Sequence, residues 1–233
     1  MGRFFITFLV WAICYATCKA QTSKPDTIYA EYVQEEIQLD GKPDEAVWKR
    51  AVHINNFTQR ELNIGEPATE RTEVAILYTA KTLYIGFWGY DRNPQKIIAR
   101  EMKRDFDWGG EDNFEVIIDT YNDDRNGFLF AINPNAARAD AQVLNNGESF
   151  NKFWNGVWDA KTTITDEGWF AEIAIPFSTL KFPTDAQEQI WGINFERNIR
   201  RKREQLLWQG WSRDSELELL NRAGTLAGLD SIV

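Results

Sequence analysis

The chain has 233 residues, a formal charge of −9, ten Trp, two Cys and one His. The excess of acid argues against a general nucleic-acid binder, which needs a basic face for phosphate. The single His53 excludes multi-histidine metal sites and most His-dependent catalytic pairs. Cys14 and Cys18 both lie near the start, so no disulfide or thiol chemistry belongs to the residues that follow.

Residues 1–20 read as an export signal. Arg3 supplies the positive start, and Phe4 to Ala16 is apolar but shorter than the about 20 residues of a membrane span. Cys18-Lys19-Ala20 offers a small residue for cleavage before Gln21; a lipoprotein signal with Cys18 as the lipidated residue is the alternative. Cleavage removes Arg3 and Lys19 and deepens the charge by two, to −11. The expected location is outside the cytoplasm: periplasm, outer membrane or cell surface. Residues 21–27 form a flexible leader, 28–229 one folded domain, and 230–233 the start of a continuation cut off at Val233.

Within the domain, Ile28 to Val33 is a first strand, and Asp40-Gly41 a turn. Pro43 to Trp48 makes a helical turn, with Pro and acids at its start and Trp48 dropping onto the core. Period-two alternation marks Thr72 to Tyr78 and Leu83 to Tyr90, joined as a hairpin. The second of these is apolar on both faces, so its outer face needs a cover or a ligand. Ile97 to Met102 is a short strand or helical turn, and Arg104 to Asp112 a loop. Phe114 to Asp119 and Phe128 to Ile132 are paired across a polar turn at Tyr121 to Gly127. Ala139 to Leu144 follows, then a polar loop from Asn145 to Asn155. Trp158 to Ile164 and Trp169 to Ile175 pair across Thr165-Asp166-Glu167-Gly168. Pro176 ends the latter, and Ser178 to Leu180 is a helical turn. Trp191 to Phe195, Leu206 to Trp208 and Leu226 to Leu229 complete the set.

With ten to twelve strands, brief helices and no linker, the fold is all-β, a two-layer antiparallel β-sandwich with short helical turns. Trp48, Trp158, Trp169 and Trp191 follow strand or helix patterns and belong to the core. Trp108 lies beside Gly109-Gly110 among acids, and Trp154 lies among Asn151, Asn155 and Gly156. Both are candidates to stack on the C–H face of a sugar while polar neighbours take its hydroxyls. Asp119, Asp123 and Asp124 are candidate Ca2+ ligands, because hard cations take carboxylate oxygens. The run Arg200-Arg201-Lys202-Arg203, read as strand, alternates faces and suits ion pairing, an adjoining domain or anionic lipid. Glu115 and Asp119, four apart on one strand face, lie roughly 13 Å apart and are too distant for a glycosidase pair. No catalytic residues are marked.

Several stretches resemble the family 9 carbohydrate-binding modules. They are Asp40-Gly41 through Asp44-Glu45 to Trp48, Trp108 to Asp119, Gly168 to Pro176, Trp191 to Phe195, and Trp208 to Asp214. The chain is closer still to the N-terminal domain of exported bacterial proteins whose C-terminal region resembles an outer-membrane barrel. Arg125 to Phe128, Phe130 to Pro134, Trp158-Asp159-Ala160, Ile175-Pro176-Phe177 and Arg197 to Arg203 carry that likeness. The first resemblance implies non-catalytic binding of a saccharide or cell-surface glycan, with calcium usual. Two Trp would hold a terminal sugar ring, the first at Trp108 and the second at Trp208 or Trp211, with Glu115 at an acidic contact position. The strand that adds a polar contact in the family reads Phe128-Leu129-Phe130-Ala131 here. The second resemblance implies a structural or interaction domain packed against a barrel in cis.

Overall fold

The computed structural model describes residues 26–34, 36–184 and 188–232. The expected export signal over residues 1–20, residues 21–25 of the expected leader and Val233 lie outside the described residues. Fourteen strands occur among them: β1 (Thr27–Tyr29), β2 (Glu31–Tyr32), β3 (Thr58–Glu61), β4 (Thr72–Tyr78), β5 (Thr82–Tyr90), β6 (Asn113–Asp119), β7 (Gly127–Ile132), β8 (Arg138–Leu144), β9 (Ser149–Asn151), β10 (Asp159–Ile164), β11 (Gly168–Pro176), β12 (Glu188–Ile199), β13 (Glu204–Leu207) and β14 (Gly224–Asp230). They form a nine-stranded sheet, β1-β14-β12-β6-β7-β8-β9 with β13 bridging β12 to β3, and a five-stranded sheet, β10-β11-β5-β4-β2.

Alternation decides the packing. Ile85 and Phe87 of β5 and Trp169, Ala171 and Ile173 of β11 meet Phe114, Val116 and Ile118 of β6 and Phe195 of β12 in one buried layer. Phe87 stacks on Phe114, 4.2 Å between centroids, and ties the sheets at their centre. The predicted core residues Trp48, Trp158, Trp169 and Trp191 are all buried. The outer face of β5 meets a cover: Tyr84 and Trp88 form a second cluster with Phe170, Trp48 and Val33. Trp48 comes from the helix α1 (Ala46–Arg50), which begins later than Pro43.

The sandwich is antiparallel except at two places. β1 runs parallel to β14, and β2 parallel to β4. The N-terminal strand is thus split: after Ala30, whose N–H donates to the Ala227 carbonyl, the chain changes sheet. β3 and β9 were not visible as alternation, because Thr58–Glu61 is polar and Ser149–Asn151 sits inside the polar loop. Ile97 to Met102 is neither strand nor helix. Its backbone is held by the buried Glu111 carboxylate, which accepts from the N–H groups of Arg100 and Glu101.

The basic run is no strand either. Arg200–Lys202 is a single 3-10 turn closed by Arg203 with φ +54°, so strand alternation does not order its faces. Arg201 forms a two-pronged pair with the buried Asp91, and Lys202 pairs with the buried Glu70. Before them, Arg197 is buried between the sheets, donating to the carbonyls of Arg71 and Tyr90 and to Thr72 Oγ1. Burial pulls its pKa down to about 10, which leaves it charged at neutral pH.

Two of the resembling stretches hold each other. The Glu172 carboxylate accepts from the N–H groups of Asp40 and Gly41, both at 2.9 Å, and from Trp48 Nε1 at 3.1 Å. Gly41 has φ +84°, and a Cβ there would lie 2.6 Å from the backbone of Thr162.

Candidate sugar-binding cleft

The outward face of the nine-stranded sheet carries polar side chains where the inward face is apolar. On β6, Glu115 alternates with Phe114 and Val116; on β12, Glu196 and Asn198 flank Arg197; on β13, Gln205 precedes Leu206. The β6–β12 register sets Glu115 directly opposite Glu196 and Asn113 opposite Asn198. Asn198 Nδ2 then reaches Asn113 Oδ1 at 2.9 Å, Glu196 Oε1 at 2.7 Å and Glu115 Oε1 at 3.3 Å. Gln205 Nε2 donates to Glu196 Oε1 at 2.6 Å. From β3, Arg60 donates to Gln205, to the Ser215 carbonyl and to Glu216.

Trp108 stands beside this floor on a short turn, Trp108–Gly110. Asp107 Oδ1 accepts from the Gly109 N–H and sets the turn. Asn113 Nδ2 donates to the Trp108 carbonyl at 2.6 Å, fastening the loop to β6. Beneath the indole lies Phe106, edge-on at 6.3 Å, in a cluster with Ile117, Leu129 and Ala131. The ring is half-buried: one part packs and the rest lines two clefts. One, of about 270 Å³, holds Glu115, Glu196, Asn198, Gln205 and Arg60. The other, of about 510 Å³, holds Phe150 and Lys152 from β9 and the loop that follows it. Trp108, Gly109 and Glu218 line both, so the two are confluent.

Glu115 and Glu196 are each 4% exposed, and both are held well above the usual carboxylate range. For Glu115 the causes are burial, then the charges of Glu196 and Glu218. Glu196 is pushed up to about 7 by burial, against the pull of its hydrogen bonds from Gln205 and Asn198. Glu218 is also raised, chiefly by burial.

Of the residues expected at a ligand, Trp108 and Glu115 share this cleft. The others do not line it. Trp154 is half-buried against Phe128 and Phe130, 5.0 and 5.9 Å away. Trp208 is 1% exposed, stacks near Phe195 and donates from Nε1 to Asn56, so it offers no free ring face. Trp211 is 42% exposed but rests over Gly65 of the β3 loop. Phe128 and Phe130 point into the core, so β12 and β13 supply the polar floor in place of β7.

Glu196, Asn198, Gln205, Arg60, Phe150 and Lys152 were missed. Glu196 and Asn198 carried a signal: polar residues at every second position of an otherwise apolar strand. Phe150 carried none.

Of the three aspartates expected around calcium, two hold the backbone of their own turn. Asp119 uses both carboxylate oxygens on turn N–H groups, Tyr121 at one and Asp124 at the other. Asp123 Oδ1 accepts from Arg125 and Asn126. Among the described residues no three His, Cys, Asp or Glu side chains converge for a metal ion.

A model of the carbohydrate family 9 binding domain-like family matches residues 39–215. The chain belongs to that family. Domains of this family are non-catalytic binding modules, consistent with a chain that is not an enzyme. Solved structures share the fold at low identity. A Bacteroides uniformis protein put forward as carbohydrate-binding has a TM-score of 0.71 at 11% identity, over 88% of this chain and 99% of that one. A family 9 module from Caldicellulosiruptor kristjanssonii, solved with cellotriose, has a TM-score of 0.60 at 14% identity, over 87% and 93%. The same organism's module with glucose has a TM-score of 0.60 at 14% identity, over 89% and 99%. No curated protein sequence matches the chain.

Proposed function

We propose that this family 9 domain binds a saccharide in the cleft beside Trp108. The carrying observation is the half-buried indole that walls two confluent clefts above a polar floor of Glu115, Glu196, Asn198 and Gln205. A pyranose has apolar C–H faces and polar edges. An indole serves the first, and fixed carboxylate and amide groups serve the second. Phe150 adds a second ring to the same cleft. The sugar complexes of the Caldicellulosiruptor modules support the reading.

Titration calorimetry against a panel of mono- and oligosaccharides tests it. Saturable binding that Trp108→Ala abolishes is the expected result; silence across the panel from a folded protein refutes it.

Export of the chain, and a barrel domain in cis, are proposals that rest on the leader residues and on the closer resemblance. Fractionation of cells carrying the full gene tests both.

A further inference from the structure

We propose that Arg200, Arg203 and Arg60 form an anion subsite opening into the cleft beside Trp108, so that the saccharide taken there is an acidic one, bearing a carboxylate or a sulfate ester. This rests on the saccharide reading above and names the ligand class within it.

The run Arg200-Arg201-Lys202-Arg203 sets four cations in succession on a chain of formal charge −9. The fold uses only the middle two for ion pairs. Arg201 pairs with Asp91 and Lys202 with Glu70, both acids buried. The backbone of the turn is fixed at both ends. Asp112 Oδ1 accepts from the Arg200 N–H at 2.9 Å, and the Arg203 N–H donates to the Arg200 carbonyl at 3.0 Å. The outer two side chains, Arg200 and Arg203, are exposed, and neither guanidinium has an ion pair or hydrogen bond among the described residues.

Both line one cleft of about 520 Å³, together with Arg60, Glu61, Asn198 and Gln205. Arg60 is half-buried and held by Gln205 and the Ser215 carbonyl, and its charge is met by Glu61 and Glu216. The cations of Arg200 and Arg203 are left unmet. A planar guanidinium fork takes the paired oxygens of a carboxylate, sulfate or phosphate in two parallel hydrogen bonds.

This cleft is continuous with the polar one beside Trp108, because Arg60, Asn198, Arg200 and Gln205 line both. A ring seated in the second can therefore extend an anionic substituent into the first. The acids of the polar floor oppose such a ligand less than their number suggests, since burial holds Glu115 and Glu196 well above the usual carboxylate range. A free phosphate or a lipid headgroup offers the same oxygens but no C–H face for the indole. A sugar acid offers both.

Calorimetry on the folded protein with glucose, glucuronic acid, glucose 6-sulfate and sodium sulfate decides. In about 0.02 M sodium chloride we expect at least one acidic sugar to bind at least about tenfold more tightly than glucose. That ratio should fall toward one in about 0.5 M sodium chloride, which screens charges on an exposed face. It should fall likewise in Arg200→Gln and in Arg203→Asn, the latter chosen because Asn accepts the left-handed backbone there. Near-ultraviolet circular dichroism checks the folding of both, and the salt series on the unaltered protein carries the test should either variant fail to fold. Acidic sugars that bind no more tightly than glucose overturn this proposal and leave saccharide binding standing. Sodium sulfate binding as tightly as the acidic sugars also overturns it, because a bare anion would then suffice. Sedimentation with phosphatidylglycerol vesicles that outcompetes the acidic sugars overturns it too, and assigns the arginines to a lipid surface. No sugar bound at either salt concentration overturns both readings.

Discussion

Trp108 and Glu196 carry the residue-scale consequences. Trp108 packs partly on Phe106 and leaves the rest of its ring to the cleft, so its removal should cost binding far more than folding. Trp108→Ala is expected to weaken any bound saccharide by about 1–3 kcal/mol while shifting the urea midpoint little. Glu196 has the opposite profile. Its folded pKa is raised to about 7, so its contribution to stability is full below the unfolded value and is lost as pH rises through about 7. Glu196→Gln keeps an oxygen for Asn198 and Gln205 and removes the charge. It should stabilise the domain by about 1–3 kcal/mol above pH 7 and by much less below pH 5, read from urea curves across pH. A difference that does not vary with pH would contradict the burial of that charge.

Individual elements are locked by buried polar groups that reach between them. Glu172 of β11 holds the Asp40-Gly41 turn and the indole of α1 with three hydrogen bonds. Glu172→Ala leaves the three donors without that acceptor, and a loss of about 3 kcal/mol in urea denaturation is expected. The turn after β6 is held in the same way by Asp119, whose oxygens are spent on the backbone. Chelator should therefore leave the melting temperature unchanged within about 1 °C, and added calcium should not raise it. A calcium-dependent rise would show that a cation competes with those N–H groups.

For the molecule as a whole, Arg197 is the polar tie between the two sheets. It bridges from β12 to the backbone of β5 and to the residues at the start of β4, with Asp112, Asp91 and Glu70 as its surrounding charge. Arg197→Met leaves two carbonyls and nearby acids uncompensated, and should cost about 3–5 kcal/mol of stability in chemical denaturation. No such effect would place the tie elsewhere. The opposite outer faces are covered by different means, α1 and its Trp48 over one sheet, the Phe106–Trp108 loop over part of the other. The second cover leaves a floor of strand carboxylates and amides open beside Trp108, while the first leaves a cavity of about 400 Å³ beside Trp88, Tyr90 and Phe170.

Much of the fold was legible in the chain because a strand's side chains alternate and burial selects one set. Phe114, Val116 and Phe195 declare an inner face by spacing alone, and Trp48, Trp158, Trp169 and Trp191 declare themselves as core. The strands β3 and β9 were hidden because short polar strands have no buried set to reveal them. The site was half legible: Trp108 and Glu115 lie close together along the chain. Glu196, Gln205 and Phe150 join them only through strand register and sheet order, which bring distant residues side by side. Periodicity tells each residue which face it occupies; only the assembled sheets decide which neighbour faces it.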